Sequence, residues 1–152
     1  MDELIYYFVD DNEVLELINS VSSYTITDES ITKSRDYWFN ETNDYSHNIT
    51  FWDTGQITTM KNMFYNKKKF NELLLWNTTN VVDMSCMFYN AKYFNQPLSW
   101  NTDNISSVFC MFCGASSFNQ RLNWNIGNQV NIRWAFNDSG MYYLPKWYIN
   151  RP

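Results

Sequence analysis

The sequence predicts an α/β repeat, a right-handed solenoid of about four 24-residue coils with short parallel strands, preceded by an N-terminal helical cap. Three observations predict it. Tryptophan recurs at a step of 24, at Trp52, Trp76, Trp100 and Trp124. The same step carries Met63-Phe64 onto Met87-Phe88, Met111-Phe112 and Ala135-Phe136, and Phe70-Asn71 onto Phe94-Asn95 and Phe118-Asn119. The pattern then decays: Gln129 stands where Ile57, Val81 and Ile105 stand, and Tyr142-Tyr143 ends the Phe-Asn series. A last repeat that loses its apolar residues is what a terminal cap requires, since its outer face meets water.

Residues 1–50 are read as the cap, 51–147 as the repeats and 148–152 as a tail. In the cap, Leu4, Ile5 and Phe8, then Val14, Leu15, Leu17, Ile18 and Val21, have the spacing of two short amphipathic helices, the second capped by Asp11-Asn12. Trp38-Phe39 and Ile49-Thr50-Phe51 form a divergent lead-in coil. The charge is uneven. Residues 1–50 carry eleven acids and two bases, a balance of −9, and the remainder five acids and nine bases, a balance of +4. The cap is therefore an acidic, solvated head, or a surface for a basic partner.

Within one coil, intervals of three between Val81, Met84 and Met87 predict a tight helical or 3₁₀ turn. Alternation at Leu98-Ser99-Trp100 predicts the short strand. One strand and one irregular segment per repeat is the leucine-rich-repeat plan. Such a coil cannot bury its apolar stripe alone; stacking continues a shared interior, with each buried Phe, Leu or Met worth roughly 1.5–3 kcal/mol. Asn71, Asn95 and Asn119, and Asn77, Asn101 and Asn125, are expected to form ladders whose amides bond to turn backbone or to one another.

Chemistry is hard to find in this chain. The single histidine, His47, leaves no choice of catalytic base, and four dispersed glycines cannot build a phosphate loop. Cys110 and Cys113 form a CxxC, and Cys86 lies 24 residues before Cys110. Without further ligands these thiols read as packing residues, so no metal, cofactor or catalytic residue is expected. Lys67-Lys68-Lys69 is too short and isolated a basic run for nucleic acid. No apolar run is long enough to span a membrane, and the acidic start is unlike a signal peptide, so an intracellular protein is expected.

Function is then expected where the repeat is broken. Lys61, Ser85, Phe109 and Arg133 share one repeat position; Asn62, Cys86, Cys110 and Trp134 share the next. Phe109 and Trp134 are large where other coils carry small or polar residues. Lys61, Phe109, Arg133 and Trp134 are accordingly the candidate protein-contact residues. Against this stands a reading in which Trp134 merely covers the end of the array.

The stretch Trp76-Asn77-Thr78-Thr79-Asn80-Val81 to Met87-Phe88-Tyr89-Asn90-Ala91, continuing to Phe94-Asn95-Gln96-Pro97-Leu98-Ser99, resembles the BspA-like leucine-rich repeat of bacterial and mycoplasmal surface proteins. The resemblance covers about residues 51–141. It implies an LRR-like solenoid, a role in binding or adhesion, and no catalytic residues. Bacterial members usually carry secretion or lipid-anchor signals, which this sequence lacks. Similar repeats occur in proteins of large DNA viruses of protists. That resemblance implies a minor structural component of a virus particle, with capsid proteins or copies of itself as partners. A fainter resemblance joins Glu3-Leu4-Ile5, Phe8, Val14-Leu15, Leu17 and Val21-Ser22 to an F-box, which implies an adaptor presenting the repeats to substrates.

Overall fold

In a computed structural model of the chain, residues 27–29, 31 and 49–150 are described. The stretches expected to form two amphipathic helices, Trp38-Phe39 and His47 lie outside the described residues, as does the F-box-like stretch.

Successive coils are joined along one run of backbone. At alternate residues, the N–H groups of Met60, Asn62, Phe64 and Asn66 donate to the carbonyls of Asp83, Ser85, Met87 and Tyr89, at 2.8–3.0 Å. Met84, Cys86, Phe88 and Asn90 repeat this onto the third coil, and Val108, Cys110, Phe112 and Gly114 onto the fourth. The 24-residue period is thus a period of stacking.

The expected short parallel strands are absent from the described residues, which overturns the strand-built solenoid. Parallel pairing shrinks to single-residue bridges, Thr59↔Asp83, Asp83↔Ser107 and Ser107↔Asn131. Backbone conformation explains this. Asn62, Cys86, Cys110 and Trp134, and Asn66, Asn90 and Asp138, all have φ between +52° and +59°, and Gly114 completes the second column at +72°. A left-handed residue cannot belong to a strand. Instead the run is a chain of overlapping turns: Met63 N–H returns to Met60, Tyr65 to Asn62 and Lys67 to Phe64. The predicted strand at Leu98-Ser99-Trp100 fails for a different reason. There an indole from the next coil takes the carbonyl: Trp124 Nε1 donates to Leu98 at 3.0 Å and Trp100 Nε1 to Leu74 at 3.3 Å. Regular helix among the described residues is limited to Asp28, Glu29 and Ile31, the 3₁₀ turn Ile49–Phe51 and the C-terminal helix Lys146–Ile149.

The interior is a lattice of aromatic rings. Trp52, Trp76, Trp100 and Trp124 stack in one column at 5.9–6.5 Å. Phe64, Phe88, Phe112 and Phe136 form a second at 5.4–5.5 Å, and Phe70, Phe94 and Phe118 a third. Within a coil the two Phe rings lie face to face, 3.8–4.0 Å apart. Polar residues stitch the coils where apolar ones cannot. The buried hydroxyls of Thr54, Thr78 and Thr102 donate to the carbonyls of Asn77, Asn101 and Asn125 in the following coil. The side-chain oxygens of Asn71 and Asn95 accept the N–H of Asn95 and Asn119, a ladder as expected. Asn77 and Asn101 instead accept from Thr79 and Asp103 within their own turns.

Both ends are closed by side chains. At the first coil, the Asp28 carboxylate accepts the N–H groups of Thr58 and Thr59 and the Thr58 hydroxyl. In the next two coils the equivalent N–H groups of Val82 and Ser106 find a carbonyl of the preceding coil, so the Asp28 carboxylate occupies the place of that carbonyl. At the other end Trp147 stacks on Trp124 at 6.0 Å and its Nε1 donates to Leu122, extending the Trp column by one ring. Tyr148 meets Phe136 edge-on at 5.1 Å.

Candidate functional site

Each overlapping-turn run turns its carbonyls and N–H groups along the stack and the core side chains inward. Met60, Met63 and Phe64 are buried, while Lys61, Asn62 and Tyr65 between them are exposed. One face of the stack is therefore a grid of outward positions, repeated in every coil. The second column needs a left-handed backbone at Asn66, Asn90, Gly114 and Asp138, residue types that tolerate it. The first column imposes the same conformation on Asn62, Cys86, Cys110 and Trp134. For cysteine and above all for tryptophan this is a strained placement.

Three of the four sequence-predicted contact residues come together on this grid. The rings of Phe109 and Trp134 lie 5.6 Å apart at 52°, and the Arg133 guanidinium carbon sits 5.8 Å from the Trp134 ring, a cation–π arrangement. Trp134 is 56% exposed, and it is Trp147 that stacks over the end of the Trp column. Lys61 is not part of the cluster. It lies on the first coil, exposed, where its ammonium opposes the effect of burial on the Cys86 thiol.

Sequence reasoning missed several features of this face. Tyr65 and Tyr89 stack at 4.7 Å, in the same column as Cys113. Cys86 and Cys113 are half-buried and Cys110 is buried. Burial pushes the Cys110 thiol up to about 11, helped by Cys113 and Cys86, with which it is in hydrogen-bonding contact. The signal was present, since Cys86 and Cys110 share a repeat position. Tyr142 and Tyr143, at 77% and 81% exposure, extend the aromatic surface of the last coil.

Among the described residues no group of three or more His, Cys, Asp or Glu is arranged to hold a metal ion, and no helix is long and apolar enough to cross a membrane. The family model that matches, over residues 33–144, is described as a Mycoplasma protein of unknown function, DUF285. The chain belongs to this family. The match takes in the outward grid and the stacked coils up to residue 144. Comparisons with curated proteins and with solved structures find no match.

Proposed function

We propose that the chain is a non-enzymatic, BspA-like repeat protein that binds another protein through the outer grid of its third and fourth coils. The observation that carries this reading is Trp134. Its indole is mostly exposed, and its backbone is held in a conformation that costs of order 1 kcal/mol or more for a bulky residue. Nothing in the packing of the core repays that cost, whereas an exposed Trp flanked by Phe109 and Arg133 has the composition of a binding hot spot. The resemblance of the repeat to BspA-like repeats suits a binding role, at a cell surface or in a virus particle, with copies of the chain or a capsid protein as partner. Arg133 on the indole face adds a fixed cation for an acidic or carbonyl-rich surface.

Trp134→Asn and Phe109→Ser test the reading together. Asparagine suits the left-handed position, so the first variant is expected to melt within about 3 °C of wild type, or higher. Both are expected to weaken partner retention in a pull-down at least about tenfold, as loss of a hot-spot residue does. A collapse in melting temperature with retention unchanged would make these residues structural and overturn the proposal.

A further inference from the structure

The three cysteines of the chain, dispersed in sequence at 86, 110 and 113, gather on the outer grid. Stacking explains how. Cys86 and Cys110 occupy the same position of adjacent coils, tied by the Cys86 N–H to Phe109 and the Phe88 N–H to Met111 on either side. Cys110 and Cys113 are the ends of one turn, the Cys113 N–H returning to the Cys110 carbonyl at 3.1 Å. The Cys110 side chain therefore has a thiol neighbour across the coils and another along the chain, and both act on its acidity. All three are free, and the outer two are solvent-accessible.

We propose that this trio is a reversible disulfide site in which Cys110 is the shared partner, bonding to Cys86 between coils or to Cys113 within the turn. The reaction with a small-molecule disulfide such as oxidised glutathione is balanced as follows. The thiolate of Cys86 or Cys113, the accessible members, attacks one glutathione sulfur; a protein–glutathione disulfide forms and one glutathione thiolate leaves. The Cys110 sulfur, losing its proton to solvent, then attacks the protein sulfur of that mixed disulfide and expels the second glutathione. The protein loses two electrons and two protons, and the glutathione disulfide becomes two thiols. The bond to Cys86 would staple the second coil to the third, closing a loop of one repeat; the bond to Cys113 leaves the coils independent. The trio is thus a place where redox conditions set how firmly coils that carry the binding grid are held.

The full chain, reduced and then equilibrated with oxidised glutathione, is read by thiol titration and intact mass. Free thiols are expected to fall from three to one with a loss of about 2 Da, and dithiothreitol to restore them. Cys86→Ser and Cys113→Ser should each still form one bond, and Cys110→Ser none. The Cys113→Ser variant, restricted to the cross-coil bond, should melt higher when oxidised than when reduced. Three titratable thiols after oxidation, a bond that survives in Cys110→Ser, or disulfides found only between chains would each overturn the proposal. These readouts need no binding partner, so they stand apart from the outcome for Trp134.

Discussion

At Asp28 a single side chain does what a backbone carbonyl of the preceding coil does elsewhere. Its carboxylate takes the two backbone N–H groups and the hydroxyl that the start of the stack leaves over. Burial pushes its pKa up, but the hydrogen bonds from Thr58 and Thr59 outweigh burial and leave it below the ordinary 3.8. A carboxylate with a depressed folded pKa adds stability that is fully present above its unfolded pKa. That contribution is lost as pH falls through the folded value. Asp28→Asn keeps the shape and removes the charge. It is expected to lower unfolding free energy at pH 7 by less than about 1 kcal/mol, because the carboxylate is exposed and solvent screens it. The gap between the two proteins should close below about pH 4, where the unfolded chain already binds the proton. Urea titrations at pH 7 and in acid measure both values; a gap that persists in acid would show that charge is not the cause. Nothing in the sequence marks Asp28 out among eleven acids of the first fifty residues, because its role depends on where the first coil begins in space.

Turns, not strands, are the element of this fold, and the sequence showed only half of that. The fixed positions Trp76, Val81, Met84, Phe88, Phe94 and Leu98 were legible as core, and all are buried. Spacing by three pointed to the turns. The left-handed residues did not announce themselves, because Cys and Trp share their column with Asn. Local slips were also hidden by register counting. Gln129 is exposed, and Val130 takes the buried place, its N–H returning to Gly127 as Val81 returns to Thr78. The Trp column likewise continues at Trp147, 23 residues after Trp124 rather than 24. Close approach of backbones at the same end makes a test. A Cβ at Gly140 would fall 2.4 Å from the Ser116 carbonyl oxygen and 3.1 Å from that of Phe118, whereas one at Gly127 meets nothing within 4 Å. Gly140→Ala is expected to cost about 1–3 kcal/mol by overpacking, and Gly127→Ala to be near neutral. Equal effects of the two substitutions on the denaturation midpoint would contradict the packing of the last coil.

The described coils form a column in which each is bonded to the next, so the number of coils is not fixed by their chemistry. What fixes it is the identity of the end residues. Thr54, Thr78 and Thr102 donate forward to the next coil, and at the same position of the last coil, where no such partner follows, Ile126 replaces the hydroxyl with an aliphatic side chain. Trp147 and Tyr148 then cover the rings of Trp124 and Phe136. The middle coils carry no such adaptation. A second copy of residues 100–123 inserted after residue 123 would present Thr102, Trp100, Phe112 and Phe118 to partners of the same kind that they have now. Its N–H groups at 108, 110, 112 and 114 would meet the fourth-coil carbonyls that the third coil meets now, and its own carbonyls would receive the third coil's N–H groups as the third coil receives the second's. In a nearest-neighbour column, adding one internal unit adds one more interface of the same kind. The lengthened chain is therefore expected to fold, to melt higher than wild type, and to unfold with a larger urea m-value, since m scales with the surface exposed. Insertion of the same residues after Trp147 would instead bury the terminal rings against a coil that lacks their cap, and should destabilise. If both insertions behave alike, the coils are not interchangeable units and the ends are not what sets the length.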